Sequence, residues 1–268
     1  MNCRDVDHFL IDHQRSADVR LPAQVLEHIL DCDGCRDLAR ALSPSVIAAG
    51  PSPEILRRLE RSLAAELRPV RPLAPVRYYF AAFAAIFVLI VAVGVYPLGA
   101  HAIAVKSPVQ LIAMLGALAA SSGIVVYSLV SQMAPGSRHW IPPKPLPVVI
   151  VGVLAILITG LFRFQNERDF WSSGWVCLRA GAAFALVAAV PFWLLLRRGA
   201  TLSPRVTGAT AGLLAGLVGT SALELHCAIL DAPHILTWHL GVALLGAMIG
   251  LAAGFAVEAA AGDQRETL

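Results

Sequence analysis

Residues 78–98 read YYFAAFAAIFVLIVAVGVYPL, a run without a single charge that is long enough, as a helix, to cross the roughly 30 Å hydrocarbon core of a bilayer. Five further apolar stretches follow, at 108–130, 146–162, 177–196, 206–225 and 237–257. Breakers separate them: 99–107, the proline-rich 135–145, the polar 163–174, the basic 197–204 and the short 226–236. The predicted membrane part is therefore a six-helix bundle over 78–257, with a tail at 258–268. The composition agrees, since 57% hydrophobic residues exceed, and 15% charged residues fall short of, what an ordinary soluble chain carries.

Ahead of the first span the character changes. Arg, Asp and Glu crowd residues 1–77 and thin out from Tyr78 onward. The beginning of the chain is polar and shows no apolar core of a cleavable signal, so this head is expected to stay on the side where it is made. The positive-inside rule then sets the orientation. Arg68, Arg71, Arg77, Arg138, Lys144, Arg197, Arg198, Arg205 and Arg265 fall on the head side, against Lys106, Arg163, Arg168 and Arg179 on the other. Both termini are expected in the cytoplasm.

Within the head, His28-Ile29-Leu30-Asp31-Cys32-Asp33-Gly34-Cys35 has the pattern of a metal site. On a helix over 22–31, residues four apart share a face, so His28 and Cys32 point at a common ion. Gly34 is expected to end that helix in a left-handed cap and swing Cys35 back. Cys3, heading a first helix over 4–14, is the best fourth ligand, with His8 and His13 in reserve. The plain alternative is a surface histidine beside two small buried cysteines. A thioredoxin-like dithiol would need a strand before the motif, where a helix is read instead.

The order C…HxxxCxxC formed by Cys3, His28, Cys32 and Cys35 resembles the zinc-binding anti-sigma domain, the small helical module with which bacterial anti-sigma factors hold an extracytoplasmic-function sigma factor. The resemblance covers about the first 50 residues and implies Zn2+ on those four side chains and a sigma factor as partner. It departs from the family in a polar 14–22 segment without the usual Gly-rich turn. The domains expected are thus a zinc-binding head at 1–50, an arm and strap at 51–77, the six spans and the tail.

The arm has its own pattern. A helix over 54–67, capped by Ser52, lines up Ile55, Leu56, Leu59, Leu63 and Leu67 as one apolar stripe among arginines and glutamates. That stripe can pack on the head, lie on the membrane surface or dock a partner protein; the anti-sigma resemblance favours the partner. The following RPVRPLAP at 68–75 reads as a stiff basic strap facing anionic head groups.

Two cysteines, Cys177 and Cys227, fall at the outer ends of the fourth and fifth spans. A disulfide is chemically allowed on that oxidising face. With His226 they could bind a soft metal ion instead, or they are two small residues without partners. Glu224 is expected at the outer interface, or as a metal or proton partner. His101, His234 and His239 read as solvated rim residues, and Trp140, Trp171, Trp175 and Trp238 as interfacial anchors. Gly208, Gly212, Gly216 and Gly219, and Gly241, Gly246, Gly250 and Gly254, recur at the spacing of close helix contacts.

From Leu63 to Phe255 the chain resembles the six-span negative-regulator-of-sigma-F family. The parallels are the RPVRPL strap, Cys177, the LLLRRG exit at 194–199, the Gly-rich fifth span, and ELHC at 224–227 followed by WHLG at 238–241. The resemblance implies that the paired outer cysteines sense the signal that frees the sigma factor. The whole sequence is thus expected to be a multi-pass protein of the bacterial inner membrane. It would sequester an extracytoplasmic-function sigma factor and release it on envelope redox or metal stress. No direct nucleic-acid binding is expected. With no Ser/His/Asp set, phosphate loop or paired carboxylates in the head, neither is enzyme activity. A transporter or scaffold with a regulatory zinc head is the competing reading, but a transporter would line a path with buried charge, and only Glu224 comes close.

Overall fold

The structure, a computed structural model, describes residues 2–12, 21–42, 53–66, 75–134, 137, 140–165, 169–199, 201 and 203–266. Its regular elements are helical and no strand occurs among these residues. The chain divides into two units, Met1–Arg71 and Pro72–Leu268. His13, Ser52, Leu67, the strap at 68–74, Arg138 and Arg168 lie outside the described residues.

The first unit holds α1 (Cys3–Asp12), α2 (Ala23–Asp31), α3 (Asp33–Ala41) and α4 (Pro53–Glu66). The first three enclose Val6, Val25, Ile29 and Cys35, with Phe9, Leu10, Cys32 and Ala39 around them. So small a core is less than a domain of about 40 residues usually needs to fold alone. The turn between α2 and α3 differs from the one expected. Cys32 itself breaks the helix by adopting an extended conformation (φ −114°, ψ 113°), and α3 starts at once. Gly34 is therefore inside α3 and has no positive φ. Cys35 lies in the first turn of a new helix, not beyond the end of the old one.

The second unit is built of α5 (Val76–Leu98), the short α6 (Ala102–Val105), α7 (Pro108–Met133), α8 (Leu146–Leu161), α9 (Phe170–Leu196) and α10 (Pro204–His226). It closes with α11 (Ala232–His234), a π-helical turn (Ile235–His239) and α12 (Leu240–Glu266). Four of these helices, α5, α7, α9 and α10, and the run Ala232–Ala260 are long and apolar enough to cross a membrane. The third expected span, α8, is a shorter apolar helix between Pro145 and an extended Phe162. α9 starts seven residues before Cys177, because Ser172 and Ser173 bond back to the Asp169 carbonyl and extend the helix toward its N-terminus. Cys177 is thus in the second turn of that helix and does not open it. α12 runs to Glu266, so the segment expected as a tail starts out helical.

α10 is the enclosed centre of the bundle, buried from Thr207 to Glu224 on nearly every face over its second half. It packs on α12, α9, α7 and α5. The outer helices turn residues such as Val88, Ile112, Val148, Ile156 and Leu186 outward, which suits contact with lipid. Small residues set how closely α10 and α12 approach. A Cβ built on Gly208 would come within 2.2 Å of the Gly250 carbonyl oxygen, and one on Gly212 within 2.0 Å of that of Gly246. Pairing falls on one helix as it rises on the other, so the two run antiparallel. Gly219 meets α9 instead, at the Gly181 carbonyl. Gly241 alone of the eight has open space around it and does not belong to this seam.

Replacing Gly212 by valine pushes a side chain into backbone and is expected to cost at least the ~1–3 kcal/mol typical of overpacking. Thermal unfolding of the full chain in detergent should show a clear fall in midpoint for Gly212→Val. Gly241→Ala should stay within about 0.5 kcal/mol of the parent.

Candidate metal centres of the head and of the bundle

All four head residues expected to hold a metal come together. Ligand atoms of Cys3, His28, Cys32 and Cys35 lie within 4.8 Å of one another. Cys3 Sγ is 3.5 Å from His28 Nε2 and 3.8 Å from Cys32 Sγ. With Zn–S near 2.3 Å and Zn–N near 2.05 Å, a zinc tetrahedron has S···S edges of about 3.8 Å and S···N edges of about 3.5 Å. These two separations match those edges.

Local structure favours thiolates at this place. Cys3 opens α1, Cys32 is the residue before α3, and Cys35 lies in the first turn of α3. Three sulfurs thus sit at helix N-termini, where free N–H groups and the helix dipole favour negative charge. The Cys35 backbone N–H beside Cys32, helped by the Cys3 and Cys35 side chains, holds its thiol below the usual range. Burial, with its sulfur neighbours adding to the effect, pushes the Cys35 thiol up to about 12. A cation would offset that burial, because metal ligation requires the deprotonated thiol. His8 is in α1 but not in this cluster.

Of the arm's stripe, Leu56, Leu59 and Leu63 stand about half exposed on α4. The side chain of Ile55, and Leu67, lie outside the described residues.

The bundle holds a second cluster that the sequence reading had only in part. Cys177 of α9 and Cys227, which follows α10, are 3.7 Å apart at sulfur. His234 and His239 complete the group, and the four ligand atoms again lie within 4.8 Å of one another. Cys227 Sγ is 3.9 Å from His234 Nε2. Neither histidine is on a solvated rim, since both are fully buried. His226 does not join them; its Nδ1 is 3.0 Å from the Gly99 carbonyl and its ring lies on that of His101.

Behind the cluster stands Glu224. It is buried, two residues from the end of α10, and spans two partners: Lys106 Nζ donates to Oε2 at 2.5 Å and His239 Nδ1 is 2.8 Å from Oε1. Lys106 Nζ also donates to the Glu224 carbonyl, at 2.8 Å. Lys106 is placed by its neighbour Ser107, which forms a capping box with Gln110 at the start of α7.

The π-helical turn is what brings the histidines together. In an α-helix, residues five apart point about 140° away from each other. The i→i+5 turn removes most of that offset, and the rings of His234 and His239 sit 5.3 Å apart, edge to face. Thr220 of α10 donates to the His239 carbonyl at 2.9 Å and fixes the turn against the central helix. Asp231 accepts from the His234 N–H and the Gln165 N–H, which ties the loop after α8 to the same spot. Trp238, expected as an interfacial anchor, is buried on Gly174 among Phe170 and Trp171. Trp140, Trp171 and Trp175 are exposed.

A family profile described as negative regulator of sigma F matches residues 63–257, and the chain belongs to that family. A protein of Azospira oryzae described as "Probable anti-sigma-F factor NrsF" is 28% identical over 137 residues, 48% of this chain and 62% of the relative. The chain therefore matches less than two thirds of that relative's length. No solved structure matches the chain.

Removing one partner from a buried ion pair leaves the other uncompensated, at a cost of about 3–5 kcal/mol. Lys106→Met and Glu224→Gln should each destabilise the detergent-solubilised chain by that order, and the double variant should recover part of the loss. Unfolding midpoints of the three variants check this; additive losses would mean that the pair does not act as a unit.

Proposed function

We propose that this member of the negative-regulator-of-sigma-F family is a membrane-bound anti-sigma factor, with zinc in its head and an extracytoplasmic-function sigma factor as partner. The observation that carries the reading is the family match together with four head side chains whose ligand atoms gather within 4.8 Å of one another. The printed name of the Azospira oryzae relative supports it. In this reading the protein crosses the bacterial inner membrane with both termini in the cytoplasm. The head and α4 then meet the sigma factor, while Cys177 and Cys227 face the envelope. It is a regulator and not an enzyme.

Zinc would be held by Cys3, His28, Cys32 and Cys35. Bound there it supplies the cross-link that a core of four buried residues lacks. The exposed leucines of α4 offer an apolar face for an amphipathic groove-docking contact.

The signal enters where α9 meets the end of α10. A two-electron oxidant reaching the two thiols would form one S–S bond, release two protons and take up two electrons. Bonding requires about 2.05 Å, so the sulfurs must close from 3.7 Å. The Gly-packed seam of α10 and α12 and the Gly219–Gly181 contact leave little room for α9 to give locally. A shift of α9 would pass to α5 through Phe192 on Phe83, whose ring centroids are 5.4 Å apart. α5 follows, in the sequence, the strap that joins the head to the bundle.

Two results test the proposal. The full chain should capture an extracytoplasmic-function sigma factor from the same cells, and Cys32→Ser with Cys35→Ser should abolish capture along with head zinc. Leu59→Asp should weaken capture at least tenfold with the zinc content unchanged. A parent chain that captures no sigma factor would instead favour the scaffold reading.

A further inference from the structure

We propose that Cys177, Cys227, His234 and His239 form a second metal site, inside the membrane bundle, that takes Zn2+ in tetrahedral coordination. The site deepens the reading of Cys177 and Cys227 as the signal-receiving end, and it adds two ligands and a supporting shell that the cysteine pair alone does not suggest.

Three observations carry it. The four ligand atoms lie within 4.8 Å of one another. The Cys177–Cys227 separation of 3.7 Å is close to the roughly 3.8 Å S···S edge of a zinc tetrahedron, and the Cys227–His234 distance of 3.9 Å is slightly longer than the S···N edge. Two thiolates with two imidazoles are also the donor set that suits a borderline-soft d10 cation.

The second observation is the orientation of His239. Its ring is fully buried, Nδ1 is held by Glu224, and Nε2 is enclosed on the Cys227 side without a hydrogen bond of ordinary geometry. A buried ring nitrogen without a well-placed partner is costly, and a cation at the cluster would satisfy it. The carboxylate on the opposite nitrogen is the arrangement that fixes the tautomer and raises the basicity of a metal-bound histidine.

The third is charge. On binding, a divalent cation would displace the two thiol protons, so the filled site would set two thiolates beside the Glu224 carboxylate, three negative charges in a low-dielectric bundle where isolated charges are expensive. Lys106 neutralises one through Glu224. A divalent cation on the sulfurs would balance the other two. The local sum, with both histidines neutral, is then zero.

Metal and disulfide would compete for the same two sulfurs. The bound cation takes up both thiolates and keeps them from forming the S–S bond; its loss exposes the pair to oxidation.

The test uses the full chain in detergent under reducing conditions, in a Cys32→Ser, Cys35→Ser background that empties the head site, with Zn2+ and Co2+ as probes. After dialysis one equivalent of zinc per chain is expected, and Co2+ should give the absorption of a tetrahedral centre with two thiolates. His239→Gln and Cys227→Ser should lose the metal. His234→Cys, which keeps four donors, should retain it with the spectrum of three thiolates and serves as the guide should the other variants fail to fold. Glu224→Gln should weaken zinc binding by about 10- to 100-fold. A parent background that binds no zinc, or metal retained at full affinity after His239→Gln, would overturn the site. Because metal is counted without a sigma factor, its failure is separate from failure of sigma capture.

Discussion

A carboxylate buried at the end of the central helix of an apolar bundle is a constraint that every neighbouring element must answer. Glu224 lies on the most enclosed helix of the molecule, so its charge has to be met by protein and not by water. Lys106 meets one oxygen from the loop ahead of α7, and His239 meets the other from the π-helical turn ahead of α12. The loop of Lys106 is thereby pinned to a stretch 118 residues away, where the end of α10 and the π-helical turn meet. The pin also decides which nitrogen of His239 is left to face the cysteines.

That point can form only because the backbones come close enough. Gly208, Gly212 and Gly216 let α10 sit directly on the carbonyls and Cα atoms of α12, in an antiparallel register that carries His239 to the level of Glu224 and Thr220. In lipid, where burying apolar surface drives little helix association, such contact and buried polar pairing supply much of what holds helices together. The glycine seam and the ionic pin are therefore one design: the first brings the helices to contact, the second fixes their register. The same register sets Cys227 against Cys177, so geometry at the thiols is coupled to packing along the whole of α10.

Much of this could be read from the chain because its signals are local. Apolar length marks the spans, and the His28/Cys32 spacing with Cys35 and Cys3 marks the head cluster, which the structure draws together. The glycine repeats of the fifth and sixth spans likewise marked a contact, apart from Gly241. What escaped was non-local. Lys106 reads as an ordinary loop cation until its Glu224 partner, 118 residues away, is seen. His234 and His239 read as solitary rim histidines because their spacing of five suits neither an α-helix nor a strand, and only the π turn aligns them. Their closeness to Cys227 and Glu224, within one sixteen-residue stretch of the sequence, was the available signal. Trp238 was misplaced for a related reason: an indole near a span end looks like an anchor unless the glycine facing it, Gly174, is known. At the head, Cys32 ends its helix through its own extended backbone, so the glycine beside it is not needed as a cap.

The central claim is that the cysteine end of the bundle governs what the head holds. Its most direct test is sigma-dependent transcription in cells carrying the full chain, before and after a membrane-impermeant thiol oxidant given with a membrane-impermeant zinc chelator, compared with the Cys177→Ser, Cys227→Ser double variant. The account predicts induction in the parent and silence in the double variant, with the sigma factor still captured in both before treatment. Equal induction in the two would contradict it and place the sensor elsewhere in the chain.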